Sequence, residues 1–263
     1  TGMFQTQPSH ALLSYPHRAS IAFPYQERIA HALELLKPFF AENQSYKDSW
    51  SVGVDEEGEP EYGYYRRGAG KDRKEVLHYR KNLVRTLKEQ RVDFVRHLPL
   101  LNACDALHNA CIATTRRELA EFARQYSLRY NDGGEFERTY HELAARADAL
   151  FLPVLRMMQY EPDIPGKIVA RRHGDHGFVT LHLYASEPGL QFGWNHATMD
   201  DFVDAPIPPG SAELFPGRKM AHLTDWKVPA LLHQVVATTP NQRQTIVFFD
   251  HVDSPKVPRW YQH

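Results

Sequence analysis

The sequence predicts a mainly β fold, in which a jelly roll is backed by an α-helical N-terminal half. Apolar residues recur at helical spacing before about residue 160, and short β-rich runs separated by Pro and Gly follow residue 165. A chain of 263 residues can form a sizeable core as one domain. We therefore expect a single domain over residues 1–263. Its helical part would cover about 1–160 and its jelly-roll core about 161–255.

The N-terminal half divides into helical and irregular segments. Residues 27–41 have a helical period that is interrupted near Pro38, and residues 42–70 read as a loop or irregular hairpin. Residues 93–127 and 134–158 have helical apolar spacing, separated by the Asn-Asp-Gly-Gly run at 131–134. These patterns predict three main helices.

The C-terminal half reads as a series of strands. The predicted strands are 167–172, 178–184, 189–194, 212–215, 219–224, 230–238 and 244–250. Residues 239–242, Thr-Pro-Asn-Gln, are rich in turn formers and predict a hairpin between the last two strands.

A candidate metal site lies in this half. His173 and Asp175 are two residues apart in a strand-like run, so their side chains share a face, and His233 lies in a later run. Two histidines and one carboxylate on one face of an iron ion leave three positions open, as in non-haem Fe(II) oxygenases. A second pair, His251 and Asp253, has only 10 residues after it, too few for a strand with a third ligand.

A candidate anion site follows His233. Arg243 and Thr245 share a strand face for the same reason of spacing. A guanidinium fork beside a hydroxyl binds a carboxylate well, because two parallel charge-assisted bonds fix its orientation. An ordinary ion pair at a sheet edge is the alternative in isolation. The neighbouring metal triad favours the anion site.

These residues resemble the isopenicillin N synthase-like branch of the Fe(II)/2-oxoglutarate oxygenases. Residues 173–180 are similar to the family's His-x-Asp-x-Gly-x-x-Thr, residues 189–192 to its Gly-Leu-Gln-hydrophobic strand, and residues 243–245 to its Arg-x-Ser. Residues 156–162 resemble its Arg-x-Asn-x-Tyr-Pro segment, and residues 72–75 its Asp-x-Lys-Glu. The chain departs from the pattern at Met158, where the family has Asn, and at Asp225-Trp226, where it often has Asn-Gly.

The resemblance implies a fold, an activity and cofactors. The fold is a double-stranded β-helix, and the activity is that of a non-haem Fe(II)/2-oxoglutarate-dependent dioxygenase. His173, Asp175 and His233 would be the catalytic metal ligands for Fe(II). Arg243, Thr245 and Tyr160 would bind the co-substrate 2-oxoglutarate, and O2 is the oxidant. Hydroxylation is the default reaction, with desaturation or cyclisation as variants, on a small organic substrate of the kind found in secondary metabolism.

Two other classes of function remain open from the sequence. One is a non-haem iron oxidase with the same triad that does not use 2-oxoglutarate, because a substrate carboxylate can occupy the Arg243 fork. The other is a cupin-like binding protein without turnover. The intact ligand set argues against the latter.

Substrate residues are the least determined. Phe178, His182, Phe192 and Trp194 alternate along strands that would line a pocket, and a place in the core is the alternative for each. An aromatic-lined opening suits a small organic substrate.

Composition limits partners and compartment. The net charge is −1, which gives no nucleic-acid footprint, and no apolar run approaches the ~20 residues that span a bilayer. Cys104 and Cys111 lie with His108 at the spacing of one helix face, which is predicted to be buried core rather than a metal site. A chain of this size with only two cysteines is typical of proteins in the reducing cytoplasm. We thus expect a cytoplasmic enzyme without nucleic-acid or membrane partners, and the oligomeric state stays open.

Overall fold

Two antiparallel sheets frame the protein in the computed structural model, which describes residues 12–13, 18–54, 60–67, 73–193 and 201–251. The eight-stranded sheet has the order β1 (Ala19–Ala22), β10 (Ser211–Pro216), β7 (Val179–Ala185), β12 (Arg243–Asp250), β5 (Val154–Tyr160), β4 (Lys74–Tyr79), β3 (Pro60–Arg67) and β2 (Gly53–Val54). The four-stranded sheet has the order β6 (Ile168–His173), β11 (Leu232–Val236), β8 (Leu190–Gly193) and β9 (Val203–Asp204).

Helices cover the outer face of the large sheet. They are α1 (Gln26–Phe40), α2 (Gln44–Asp48), α3 (Leu83–Glu89), α4 (Leu98–Tyr130), α5 (Glu135–Ala144) and α6 (Arg218–Leu223). The longest, α4, ends at Asn131, whose φ of 50° is the left-handed conformation that often closes a helix. Among the described helices, none is both long and apolar enough to cross a membrane.

Strand alternation gives the large sheet two buried faces. On β12, Ile246 and Phe248 join the core beneath the helices, whereas Val247 and Phe249 join a second core between the two sheets. Arg243 and Thr245 have the same parity as Val247 and Phe249. They therefore face the space between the sheets, which is where the candidate site lies.

This architecture confirms the predicted helix-backed jelly roll. Within the described residues, strands occupy six of the seven predicted runs, namely 167–172, 178–184, 189–194, 212–215, 230–238 and 244–250. Helices cover most of 27–41 and 93–127, and the break at 131–134 separates α4 from α5. Pro38 lies inside α1 without ending it. Strands β2 and β3 form the hairpin expected within 42–70.

Three expectations about individual elements were wrong. The run 219–224 is helix α6, because its Arg, Lys, Met, Ala and Leu are good helix formers. The predicted helix 134–158 ends at Ala144, and residues 154–158 belong to β5, a central strand that is apolar on both faces and so lacks a clear strand period. Residues 239–242 do not form a hairpin, because β11 and β12 belong to different sheets. The N-terminal region is helical, as predicted, and it also supplies five strands of the large sheet.

The helix face that carries Cys104, His108 and Cys111 is buried, as predicted. All three side chains are inaccessible to solvent, and the His108 ring nitrogen Nε2 hydrogen-bonds the carbonyl oxygen of Pro153 at 2.9 Å. This histidine therefore ties α4 to the start of β5.

Candidate metal centre and anion pocket

The structure brings the three predicted metal ligands together at one end of the small sheet. His173 ends β6, His233 lies in β11, and the antiparallel register of these strands places the two histidines opposite each other. Asp175 Oδ1 lies 3.4 Å from His173 Nε2 and 3.6 Å from His233 Nε2. One ligand atom from each residue falls within 4.8 Å of the others.

Hydrogen bonds orient both imidazoles toward the centre of this group. His173 Nδ1 lies 2.6 Å from the carbonyl oxygen of Arg171, and His233 Nδ1 lies 3.3 Å from that of Leu231. A carbonyl oxygen only accepts, so each Nδ1 carries the proton and donates. In the neutral form of each ring, Nε2 is then the nitrogen that can bind a metal ion.

Electrostatics keep Asp175 ionised. Burial acts to raise the pKa of this carboxyl, but the two histidines and the Thr180 hydroxyl outweigh it and hold the pKa well below its usual range. Thr180 Oγ1 donates to Asp175 Oδ2 at 2.5 Å. Burial lowers the pKa of His233, which favours the neutral, ligating form.

The loop around Asp175 depends on a close backbone contact. The Arg218 amide donates to the Asp175 carbonyl at 2.7 Å, at the start of α6. A Cβ at Gly217 would lie 2.2 Å from the Gly177 oxygen and 2.9 Å from the Asp175 oxygen. Only glycine permits this approach at position 217, so Gly217 lets α6 support the metal loop.

Ligand chemistry and spacing fit an iron ion. Neighbouring ligand atoms about 2.1 Å from a metal lie ~3 Å apart, so small side-chain movements bring these three groups onto one ion. His173 keeps 47% of its side chain exposed, whereas Asp175 and His233 are buried at 8% and 9%. The open side of the site therefore lies next to His173.

Arg243 and Thr245, the residues of the candidate anion site, lie together in the same inter-sheet space. Arg243 is 5% exposed and its Nε donates to the Glu187 carbonyl at 3.2 Å. Its Nη1 and Nη2, and Thr245 Oγ1, are buried without a hydrogen-bond partner among the described residues. Burial lowers the pKa of Arg243. A buried cation and hydroxyl left in this state are costly, and a carboxylate would satisfy all three atoms.

Tyr160 and Met158 line the pocket opposite β12. The β5–β12 register places Tyr160 opposite Arg243 and Met158 opposite Thr245. The Arg243 guanidinium carbon lies 5.7 Å from the Tyr160 ring centroid, and the Tyr160 hydroxyl donates to Met158 Sδ at 3.8 Å. Because the Met158 thioether is a weak acceptor, that hydroxyl can turn to a better partner.

Lys74 is a pocket residue that sequence reasoning missed. It is 7% exposed on β4, and its Nζ lies 5.0 Å from the Tyr160 ring centroid. Lys74 and Arg243 lie opposite Tyr160 on the two strands that flank β5. Among the described residues it makes no ion pair within 4.0 Å. Its position in the Asp-x-Lys-Glu run could have indicated a functional role. The strand β4, which directs its side chain inward, was not predicted from the sequence.

The structure places the four predicted substrate residues differently. His182 and Phe192 face the space between the sheets. Burial and the charge of Arg243 lower the pKa of His182 to about 3. The ring centroids of Phe192 and His233 are 6.4 Å apart. Phe178 does not line the pocket, because it stacks on Tyr140 at 6.1 Å in the core beneath the helices. Trp194 lies outside the described residues.

At Asp225-Trp226, where the resembled family often has Asn-Gly, the backbone adopts a left-handed turn. Both residues have positive φ, 46° and 61°, and the Trp226 amide donates to the Ala221 carbonyl at 2.7 Å to close α6. Asn and Gly adopt this left-handed conformation at lower cost than Trp does. The turn geometry is therefore kept with less suitable residues.

A protein-family model matches the part of the chain that carries the candidate site. Residues 153–251, which carry all the metal and anion-pocket residues except Lys74, match the family model described as the 2OG-Fe(II) oxygenase superfamily. This segment therefore has the sequence pattern of that superfamily. The prediction of a non-haem Fe(II)/2-oxoglutarate dioxygenase that uses Fe(II), 2-oxoglutarate and O2 is confirmed at this level.

Solved structures share the fold of this chain. A full-length Neurospora crassa protein in complex with alpha-KG superposes with a TM-score of 0.68 at 17% identity, over 97% of this chain and 82% of its own. A putative 2OG-Fe(II) oxygenase family protein from Caulobacter crescentus gives 0.68 at 24% identity, over 95% and 82%. Dioxygenase for auxin oxidation 1 from Arabidopsis thaliana, with 2-oxoglutarate, gives 0.62 at 14% identity, over 90% and 86%. No curated protein matches the sequence.

Proposed function

We propose that this protein oxygenates a small organic substrate with Fe(II) and 2-oxoglutarate, with hydroxylation as the default reaction. The buried guanidinium of Arg243 carries this proposal, because its two terminal nitrogens have no partner among the described residues and it faces the same inter-sheet space as the metal triad. An iron oxidase that does not use 2-oxoglutarate would have to place a carboxylate of its own substrate in this fork.

In this proposal His173, Asp175 and His233 hold the iron ion. The distal carboxylate of 2-oxoglutarate pairs with Arg243 and accepts the Thr245 hydroxyl hydrogen. Tyr160 supplies a second hydroxyl, and Lys74 adds a cation from the neighbouring strand. Charge-assisted bonds from a fixed guanidinium orient the co-substrate as well as binding it.

Bound Fe(II) and O2 supply the oxidation chemistry, in which 2-oxoglutarate loses CO2 to become succinate and the substrate gains oxygen. The residues of the chain provide placement and exclusion of water. Asp175 stays ionised, and the hydrogen bonds at Nδ1 turn Nε2 of both histidines toward the metal position. The apolar cluster between the sheets, including Met158, Phe192 and Phe215, excludes water from the reacting region.

We also assign the protein to the isopenicillin N synthase-like branch, as part of the same proposal. The Arg243-Gln244-Thr245 run supports it, because Thr245 retains the hydroxyl of the branch's Arg-x-Ser and faces the pocket with Arg243. The Tyr160 position and the Gly189 turn support it further. Gly189 has a φ of 116°, and a Cβ there would lie 2.0 Å from the Val236 oxygen.

The enclosed, partly aromatic site favours a small organic substrate over a macromolecule. The Neurospora crassa protein of similar fold is also solved with alpha-KG and thymine, a small heterocycle. In this chain Phe192 lies beside the metal ligands, and His173 faces the open side.

Succinate formation tests the proposal. Protein purified without oxygen is incubated with Fe(II) and 2-oxoglutarate, O2 is admitted, and succinate is measured. We expect slow formation without added substrate, lost in His233→Ala. A visible charge-transfer band should appear when 2-oxoglutarate joins the Fe(II) protein. Absence of both the band and 2-oxoglutarate binding would refute the proposal and favour an oxidase that takes all electrons from its substrate.

A further inference from the structure

Arg156 is a cation on the site-facing side of β5 that the proposed function leaves without a role. Its neighbours of the same parity, Val154 and Met158, belong to the cluster between the sheets. Across the sheet Arg156 lies opposite Val247 of β12 and His78 of β4. It is half-buried. Arg156 begins the segment that resembles Arg-x-Asn-x-Tyr-Pro, but the sequence assigned it no role, because the apolar spacing of residues 154–158 resembles that of a helix.

The Arg156 guanidinium lies toward the metal end of the sheet. Its central carbon is 4.5 Å from the ring centroid of Phe249. Phe249 lies opposite Thr180, whose hydroxyl holds Asp175. Strand β12 lies between β5 and β7, and adjacent strands are about 4.8 Å apart, so Arg156 lies on the same sheet face as Thr180 at a distance of two strands, roughly 10 Å.

This cation is distinct from the co-substrate pocket. Arg243 lies opposite Tyr160, four residues along β5 from Arg156. Four residues of a strand span roughly 13 Å, too far for one carboxylate to pair with both guanidinium groups. The distal carboxylate of 2-oxoglutarate, held at Arg243, therefore leaves Arg156 available to another anion.

Hydrogen bonding leaves one edge of Arg156 available. Its Nε donates to His78 Nε2 at 2.5 Å. Since a guanidinium only donates, that imidazole nitrogen is the acceptor, and His78 fixes the side of the guanidinium that carries Nε. Phe249 covers one face of the group. The remaining pair, Nη1 and Nη2, forms the fork that binds a carboxylate through two parallel bonds.

The surrounding charges make this fork a site for an anion. Within the described residues, no carboxylate lies in ion-pair distance of Arg156. Asp175, the nearest acid of the metal site, is already shared by His173, His233 and Thr180. The pKa of His251 lies well below its usual range. Burial is the main cause, and the nearby cations, among them Arg156, lower it further. Lys219 and Arg80 are the other two cations that act on His251 in this way.

We propose that Arg156, positioned by His78 and Phe249, binds a carboxylate of the primary substrate. The enzyme then acts on small organic acids, and the oxidised carbon lies a few bonds from that carboxylate. This inference rests on the proposed oxygenase function and names its substrate class.

Matched acids and amides test the inference. The probes are benzoate, phenylacetate and 3-phenylpropionate, each compared with its neutral amide of the same size. Their dissociation constants are measured without oxygen on protein saturated with Fe(II) and 2-oxoglutarate, by calorimetry and by the change in the visible charge-transfer band. We expect at least one acid to bind about tenfold or more tightly than its amide.

Variants assign the preference to Arg156. Arg156→Met should remove the preference for the acid, and Arg156→Lys should keep part of it, because the charge remains but the fork is lost. Arg85→Met, at a surface position whose side chain is 72% exposed, is the matched control and should keep it fully. Thermal melting checks that each variant folds.

The outcomes separate this inference from the function on which it rests. If 2-oxoglutarate produces the band but every acid binds no better than its amide, the substrate class is wrong and the oxygenase proposal stands. The substrate class is equally wrong if Arg156→Met keeps the full preference. If the band itself does not form in the wild-type protein, the oxygenase proposal fails first.

Discussion

Thr180 donates its hydroxyl hydrogen to Oδ2 of Asp175 at 2.5 Å, which leaves Oδ1 as the oxygen that faces both histidines. The two oxygens of one carboxylate thus have separate tasks. Oδ2 is anchored to the large sheet through β7, and Oδ1 is presented to the metal position next to the small sheet. A single hydrogen bond therefore sets the rotation of the carboxylate.

Thr180→Val should weaken metal binding while the fold survives. Valine keeps the shape of threonine but cannot donate, so Asp175 loses the partner that orients it. Loss of such a supporting hydrogen bond typically lowers metal affinity by about 10–100-fold. Calorimetric titration with Mn(II), a redox-stable substitute for Fe(II), measures the change. Thr238→Val, at an exposed position, is the control. Equal affinity in Thr180→Val and wild type would show that the hydroxyl has no orienting role.

The metal ligands could be predicted from sequence because strand geometry alone relates them. His173 and Asp175 share a face through their i, i+2 spacing, and the same rule relates Arg243 to Thr245. Both pairs face the site in the structure. Such inferences need a correct strand assignment, but they do not need the partner strand.

Lys74 and Arg156 could not be predicted in this way. Their strands, β4 and β5, are central and apolar on both faces, so the alternation that marks a strand is masked. The prediction of a hairpin at residues 239–242 was wrong for another reason. Turn-forming residues indicate that the chain changes direction there, but the choice between pairing in one sheet and crossing to another depends on long-range packing.

Arg243→Met and Lys74→Met should both weaken binding of 2-oxoglutarate and leave metal binding intact. Arg243 loses a paired charge, for which we expect ~2–4 kcal/mol, and Lys74, whose ammonium is not a fork, should cost less, about 1–2 kcal/mol. Titration of 2-oxoglutarate into the Mn(II) protein gives both values. Lys167→Met, at a side chain that is 55% exposed, should not alter the affinity. A wild-type affinity in Lys74→Met would place the co-substrate carboxylate on Arg243 alone.

Trp226→Gly should stabilise the protein. A side chain with a Cβ costs roughly 1–2 kcal/mol in the left-handed region, and Trp226 adopts a φ of 61° there. The substitution also removes the contact with His222, whose ring centroid lies 5.2 Å from that of the indole. Trp226→Ala separates the two effects, because it removes the ring and keeps the strain. Urea unfolding should therefore rank Gly above Ala by about 1 kcal/mol. Equal stability of the two variants would mean that the backbone at this position is not strained.

The pH dependence of stability should depend on His108, which is far from the metal site. Burial lowers the pKa of His108 to about 4, and its ring stays neutral while it binds the Pro153 carbonyl. In the unfolded chain the same histidine titrates near 6.5. As the pH falls below 6.5, the unfolded state takes up a proton that the folded state does not, so the free energy of unfolding decreases until the pH reaches about 4.

Between pH 7.5 and pH 5 this single histidine should remove about 2 kcal/mol of stability. His108→Gln keeps an amide donor for the Pro153 carbonyl and removes the titration, so its stability should fall by that much less over the same interval. His31→Gln, at an exposed position of α1, should follow the wild type. The measurement is urea unfolding of metal-free protein at both pH values. If wild type and His108→Gln lose the same stability, His108 does not titrate differently in the folded and unfolded states, and the acid sensitivity arises elsewhere.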